Sequence, residues 1–238
     1  MRTAPKASDV WPRPLIVPLP ESVKGVEQPI VSLNGTWKLH PAPPNEFWSN
    51  EIDPASWDDM DVPGYTSTAG YQIVHGDEYA YRRKIAIAED FAGKRIFLRF
   101  DGVTGHARVW IDGTYVRDHY GGFTTWYCEI TELVTPGEEV WLTVGVVDKP
   151  REISVFNLGG IIRDVLLVAV PENYVTRLQV ETDLDEVYED AELRISTGMA
   201  FAGAKSSTIE LMLTGPTGDE MAIDPAAITL TPDESEAT

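Results

Sequence analysis

Apolar and polar residues alternate in short runs through the middle of this chain. YAYRRKIAIA puts Tyr79, Tyr81, Arg83, Ile85 and Ile87 on one face, and KRIFLRFDGV groups Ile96, Leu98 and Phe100 with Arg99 and Asp101 opposite. HARVWIDG sets Ala107, Val109 and Ile111 against Arg108, Trp110 and Asp112, and EVWLTVGVVD repeats the pattern at Val140, Leu142, Val144 and Val146. A period of two is the strand period, because successive side chains point to opposite faces of a sheet. Thr36-Trp37-Lys38-Leu39 reads as an earlier strand, and RDVLLVAV (163–170) as one covered on both sides, since it is almost continuously apolar. The expectation is an all-β fold.

Turn chemistry separates these strands. Asp112-Gly113 between VWI and TYV predicts a two-residue hairpin loop, which needs positive φ at both central positions. Gly121-Gly122, Pro136-Gly137 and Gly159-Gly160 mark further bends, and the two Gly-Gly pairs are read as structural corners rather than ligand cradles. Residues 1–30 carry six prolines and no period, which predicts an extended N-terminal segment. Residues 41–63 are turn-rich, with a short helical turn near Pro54–Trp57 and with Trp48 and Trp57 pinning the segment to the core. Residues 64–79 form a long polar connection, the kind that more often carries function. After Pro171 about three further strands and one in the tail are expected, over some 66 residues where an immunoglobulin-like sandwich takes about 100.

The formal charge of −19, from 19 basic and 38 acidic residues, disfavours nucleic acid and anionic membranes as partners. No apolar run approaches the roughly 18 residues of a membrane-spanning helix. The N-terminus has no uninterrupted apolar core for a secretion signal, so the expected location is cytoplasmic. Cys128 is the only cysteine, which excludes an intrachain disulfide and reads as a small buried apolar residue. Four histidines and one cysteine offer no zinc spacing, and no metal or other cofactor is expected.

SLNGTWKL, WDDMDVPGY, YAYRRKIAI, LRFDGVTGHARVWIDGTYV, HYGGFTTW, EITELVTPGEEVWLTV and GGIIRDVLL follow one another over residues 31–170 in an order that resembles glycoside hydrolase family 2. This is the family of β-galactosidases, β-glucuronidases and β-mannosidases. The resemblance implies a sugar-binding jelly-roll β-sandwich at 31–172, then a partial immunoglobulin-like β-sandwich at 173–238. It also implies a C-terminal (β/α)8 barrel, carrying both catalytic glutamates, that these residues do not include. The implied function is the non-catalytic N-terminal region of a retaining β-glycosidase, with a carbohydrate and its own barrel as partners and a homo-oligomer as one available assembly. A stand-alone carbohydrate-binding sandwich is the alternative.

No residue in the chain is expected to be catalytic. The substrate-facing candidates are His75, Asp77 and Glu78 in one loop and Arg151, Glu152 and Asn157 in another. In several relatives an aspartate six positions before the second glycine of the GGIIRD motif reaches the active site, and Ser154 stands there in this sequence. Either Asp148 or Glu152 serves from an offset loop, or that contact is missing. Trp110 and Trp126 are weighed as sugar-stacking platforms against the commoner role of core residues. Arg163 is read as a tie between the sheet and a neighbouring loop or domain.

Overall fold

A computed structural model describes residues 17–148, 158–203 and 205–237. The chain divides at Pro171: Pro20–Pro171 form one compact unit, and the chain from Glu172 onward belongs to another. In the first unit ten strands make two antiparallel sheets. They are β1 (Ile30–Ser32), β2 (Gly35–His40), β3 (Asp58–Val62), β4 (Glu78–Ala86), β5 (Arg95–Phe100), β6 (His106–Ile111), β7 (Thr114–Tyr120), β8 (Trp126–Glu129), β9 (Glu139–Val147) and β10 (Val165–Val170). One sheet has the order β3-β2-β4-β9-β6-β7 and the other β1-β10-β5-β8.

The inward positions of both sheets make a single core, so this unit is a β-sandwich. Trp37, Leu39, Tyr79, Tyr81, Val109, Leu142 and Val144 from the larger sheet join Leu98, Phe100, Cys128, Val165 and Leu167 from the smaller one. Each such side chain removed from water contributes roughly 1.5–3 kcal/mol, which is why alternation in the sequence converts into a fixed register. The Asp112-Gly113 loop has φ of 44° and 80°, as the hairpin requires. The Asp112 carboxylate also accepts the Trp141 N–H at 2.8 Å, tying the hairpin tip to β9.

Alternation alone does not describe β4. Ala80 and Arg82 on its second face are as buried as Tyr79 and Tyr81. The segment before β3 lies over that face, with Phe47, Trp57, Ala80 and Trp110 in a second small core and Trp48 and Ile52 packed on it. A 3-10 turn at Pro54–Ser56, capped by the Asp53 side chain, shapes this cover. Arg82 fastens it by donating to the Ile52 carbonyl at 2.7 Å, with its guanidinium over the Trp141 ring.

Cys128 is buried on β8, and burial pushes its thiol up to about 12. The native protein is therefore expected to react with a disulfide reagent near neutral pH only after denaturant exposes the thiol. A fast stoichiometric reaction in buffer would contradict this placement.

From Glu172 onward, β11 (Tyr174–Leu184) and β12 (Ala191–Ala200) form a long antiparallel hairpin extended by β17 (Glu236–Ala237). Two further ladders pair β13 (Ser207–Glu210) with β16 (Ala227–Leu230) and β14 (Leu213–Thr214) with β15 (Glu220–Met221). No helix among the described residues is long and apolar enough to cross a membrane.

Candidate functional site

Residues 63–77 meet the described ends of the connection between β9 and β10, Asp148 and residues 158–164, at a buried polar knot. Asp148, just past β9, is buried at 4% exposure. Its carboxylate accepts the Thr104 hydroxyl at 2.6 Å and the Tyr79 hydroxyl at 3.0 Å. Thr104 Oγ1 in turn accepts the Gly160 N–H at 2.8 Å. Burial first, then the neighbouring Asp148 charge, pushes the Tyr79 phenol well above its usual range, so it remains a donor.

Around this knot the two connections are laced through the backbone. Gly64 N–H donates to the Ile161 carbonyl at 2.8 Å, Thr66 N–H to Gly159 at 3.0 Å and Ser67 N–H to Leu158 at 3.2 Å. Gly159 has φ of +65°, and a Cβ there would strike the Asp148 carboxylate and the Thr66 hydroxyl. This glycine pair is a close-packed corner.

The sequence candidates separate accordingly. His75 and Asp77 lie exposed in the turn before β4, where the Asp77 N–H donates to Val74 at 3.0 Å. Glu78 starts β4 and is bound by both arms of Arg108, Nε at 2.9 Å and Nη2. That pairing fixes Glu78 against the six-stranded sheet. Arg151, Glu152, Asn157 and Ser154 lie outside the described residues. Asp148, one of the two stand-ins for the family aspartate, turns its carboxylate inward and supports the base of the connection.

Both tryptophans weighed as sugar platforms are core residues. Trp110 stacks on Trp48 with ring centroids 5.0 Å apart, and Trp126 lies between Phe100 at 4.4 Å and His119 at 4.9 Å. Arg163 precedes β10 and donates to the Phe123 carbonyl at 3.1 Å, which makes it the expected tie to a neighbouring loop. Asp164 accepts from the Asn34 amide at 2.9 Å, so the Arg-Asp pair acts in two separate places.

Burial, and then the Arg117 charge, hold His119 below the usual imidazole range. The unfolded chain takes up this proton first, so the contribution is present above about pH 6.5 and is lost as pH falls through that value. Melting temperature is expected to fall between about pH 7.5 and about pH 5.5, and His119→Phe to flatten that part of the profile. Parallel profiles for the two proteins would contradict the assignment.

Sequence reasoning missed a cleft of about 470 Å³ lined by Thr36, Asp59, Asp61, Gly64, Tyr65 and Thr68 among others. It lies along β2 and edge strand β3, where Thr36 pairs with Asp61 and Lys38 with Asp59. The available signal was the spacing of Asp59 and Asp61 around buried Met60, followed directly by the Gly64 turn.

The family profile described as "Glycosyl hydrolases family 2, sugar binding domain" matches residues 24–171. The chain belongs to glycoside hydrolase family 2. Among curated relatives, a β-galactosidase of Clostridium acetobutylicum is 27% identical over 225 residues, covering 81% of this chain and 25% of that protein. A β-glucuronidase of Bacteroides fragilis is 30% identical over 155 residues, covering 62% of this chain and 22% of that protein. The solved structure of a Bacteroides uniformis β-glucuronidase superposes with a TM-score of 0.73 at 26% identity, over 87% of this chain and 26% of that one. The chain thus spans about a quarter of the length of the relatives it matches. It matches the N-terminal sugar-binding domain of the family, a non-catalytic region of its glycosidases.

Proposed function

We propose that residues 1–238 form the N-terminal part of a retaining β-glycosidase of the β-galactosidase type, shaping a substrate pocket and scaffolding a catalytic barrel. The observation that carries this reading is the match over 24–171 in a chain about a quarter the length of its relatives. Retaining hydrolysis needs two carboxyls about 5 Å apart across the scissile bond. Three acidic groups of this unit have structural partners: Glu78 pairs with Arg108, Asp148 accepts from Tyr79 and Thr104, and Asp59 pairs with Lys38. The same proposal takes residues 31–172 as the sugar-binding domain and 173–238 as the opening of an immunoglobulin-like sandwich, in a cytoplasmic enzyme. Within it, His75 and Asp77 are the described residues offered to substrate, together with Arg151, Glu152 and Asn157.

The test is the complete gene product assayed with nitrophenyl β-galactoside, β-glucuronide and β-mannoside, with the anomer of the first product followed by NMR. Hydrolysis with retention, fastest on the galactoside, is expected. Absence of turnover on all three would overturn the proposal.

A further inference from the structure

We propose that Arg82 and Thr143 form a buried site for a single chloride ion beneath the segment that covers β4. The two residues are directly opposite each other in the β4–β9 register, so their side chains stand on the same face of the six-stranded sheet. Both are buried, at 0% and 1% exposure.

Only part of the Arg82 guanidinium is satisfied by the protein. Nη1 donates to the Ile52 and Phe47 carbonyls, at 2.7 and 3.5 Å. Nε and Nη2, which make the other edge, are buried without a hydrogen-bond partner among the described residues, and so is Thr143 Oγ1. Elsewhere in this chain the same edge takes an anion. Arg95 binds the Glu129 carboxylate through Nε at 2.8 Å and Nη2 at 2.7 Å, and Arg108 binds Glu78 through the same two atoms. For Arg82 no described carboxylate does so. The two acids whose charge reaches it, Asp112 and Asp53, accept the Trp141 and Ala55 N–H groups, at 2.8 and 3.0 Å.

The surroundings select the ligand. Trp110 stands opposite Thr143 on β6 and belongs with Phe47, Trp57 and Ala80 to the small core under the cover. The Trp141 ring centre lies 4.9 Å from the Arg82 guanidinium carbon. A nitrate, phosphate or free carboxylate would bring more lone pairs than these three donors can meet, and the remainder would be buried against apolar groups. A water would accept from the guanidinium edge but leave its charge without a counter-charge. A monatomic anion accepts from all three groups, has no directional lone pair to leave unmet and supplies the opposite charge.

The test uses the 238-residue chain, melted in sodium chloride, sodium bromide and sodium gluconate at equal ionic strength. An ion that binds only the folded state raises the melting temperature in a concentration-dependent way. A rise is therefore expected with chloride and bromide and not with gluconate, which is too large to enter. Thr143→Val, near-isosteric and short of one donor, should need about tenfold more chloride for the same rise. Arg82→Met should abolish the response, and Thr143→Val carries the test should Arg82→Met fail to fold. Lys84→Met, which removes an exposed cation paired with Glu139, should keep the full response. Crystals soaked in bromide should show an anomalous scattering peak between Arg82 and Thr143. Equal melting in chloride and gluconate, a parent-like chloride response in Thr143→Val, or no bromide peak at this point would each overturn the proposal.

Discussion

Gly159→Ala is expected to lower the stability of the Pro20–Pro171 unit by ~2–5 kcal/mol, about 1–2 from the left-handed backbone and about 1–3 from overpacking. Gly159 has φ of +65°, and its missing Cβ would run into the Asp148 carboxylate and the Thr66 hydroxyl, with the Tyr79 hydroxyl at 3.2 Å. Those groups cannot give way cheaply. Asp148 is held by two donors, and moving it would strand a buried carboxylate or the Thr104 and Tyr79 hydroxyls. Gly76→Ala is the control, because Gly76 has φ of +97° but nothing within 4 Å of its added Cβ. Urea melts of both variants check this: Gly159→Ala should lose clearly more than Gly76→Ala. Equal losses would mean that the polar knot does not constrain the corner.

Trp110→Ala is expected to cost ~3–5 kcal/mol, the usual range for truncating a buried tryptophan. Trp110 is only 4% exposed, stacks on Trp48, meets Phe47 at 5.4 Å and carries the Arg108 guanidinium at 5.0 Å. Losing it removes the post on which residues 46–57 rest, so the damage should begin in that cover. Limited proteolysis is the measurement, with new cleavage expected between Phe47 and Trp57 before the sandwich itself opens. Trp48→Ala, at a half-buried position, should lose less. Cleavage that begins elsewhere would show that the cover does not depend on Trp110.

These two sites mark the limit of what local pattern reveals. The strands of the sandwich were legible because alternation is a local property, and Ile96, Leu98 and Phe100 announce both a strand and its buried face. The hairpin at Asp112 and Gly113 was legible because its backbone angles admit few residues. The buried outer face of β4 was not, because its cover comes from a segment with no period, some thirty positions away from the Arg82 it buries. One strand start was also misplaced: β10 begins at Val165, so Arg163 and Asp164 lie ahead of it and act through Phe123 and Asn34.

The candidate site divides in the same way. The family order over residues 31–170 could be read from the sequence, since it is a matter of which motifs follow which. The role of Asp148 could not, because Thr104 and Gly160, 44 and 56 positions from their partners, become its neighbours only through the fold. The cleft beside Asp61 depends on Thr36 meeting Asp61 across two strands and on the Gly64 turn folding back over them, and periodicity carries neither fact.

On the proposed reading these residues support glycoside hydrolysis without performing it. The most direct measurement is the purified 238-residue chain, shown folded by its melting transition, incubated with nitrophenyl β-galactoside, β-glucuronide and β-mannoside. Release of nitrophenol no faster than in buffer is expected. Turnover that scales with the concentration of the chain would contradict it.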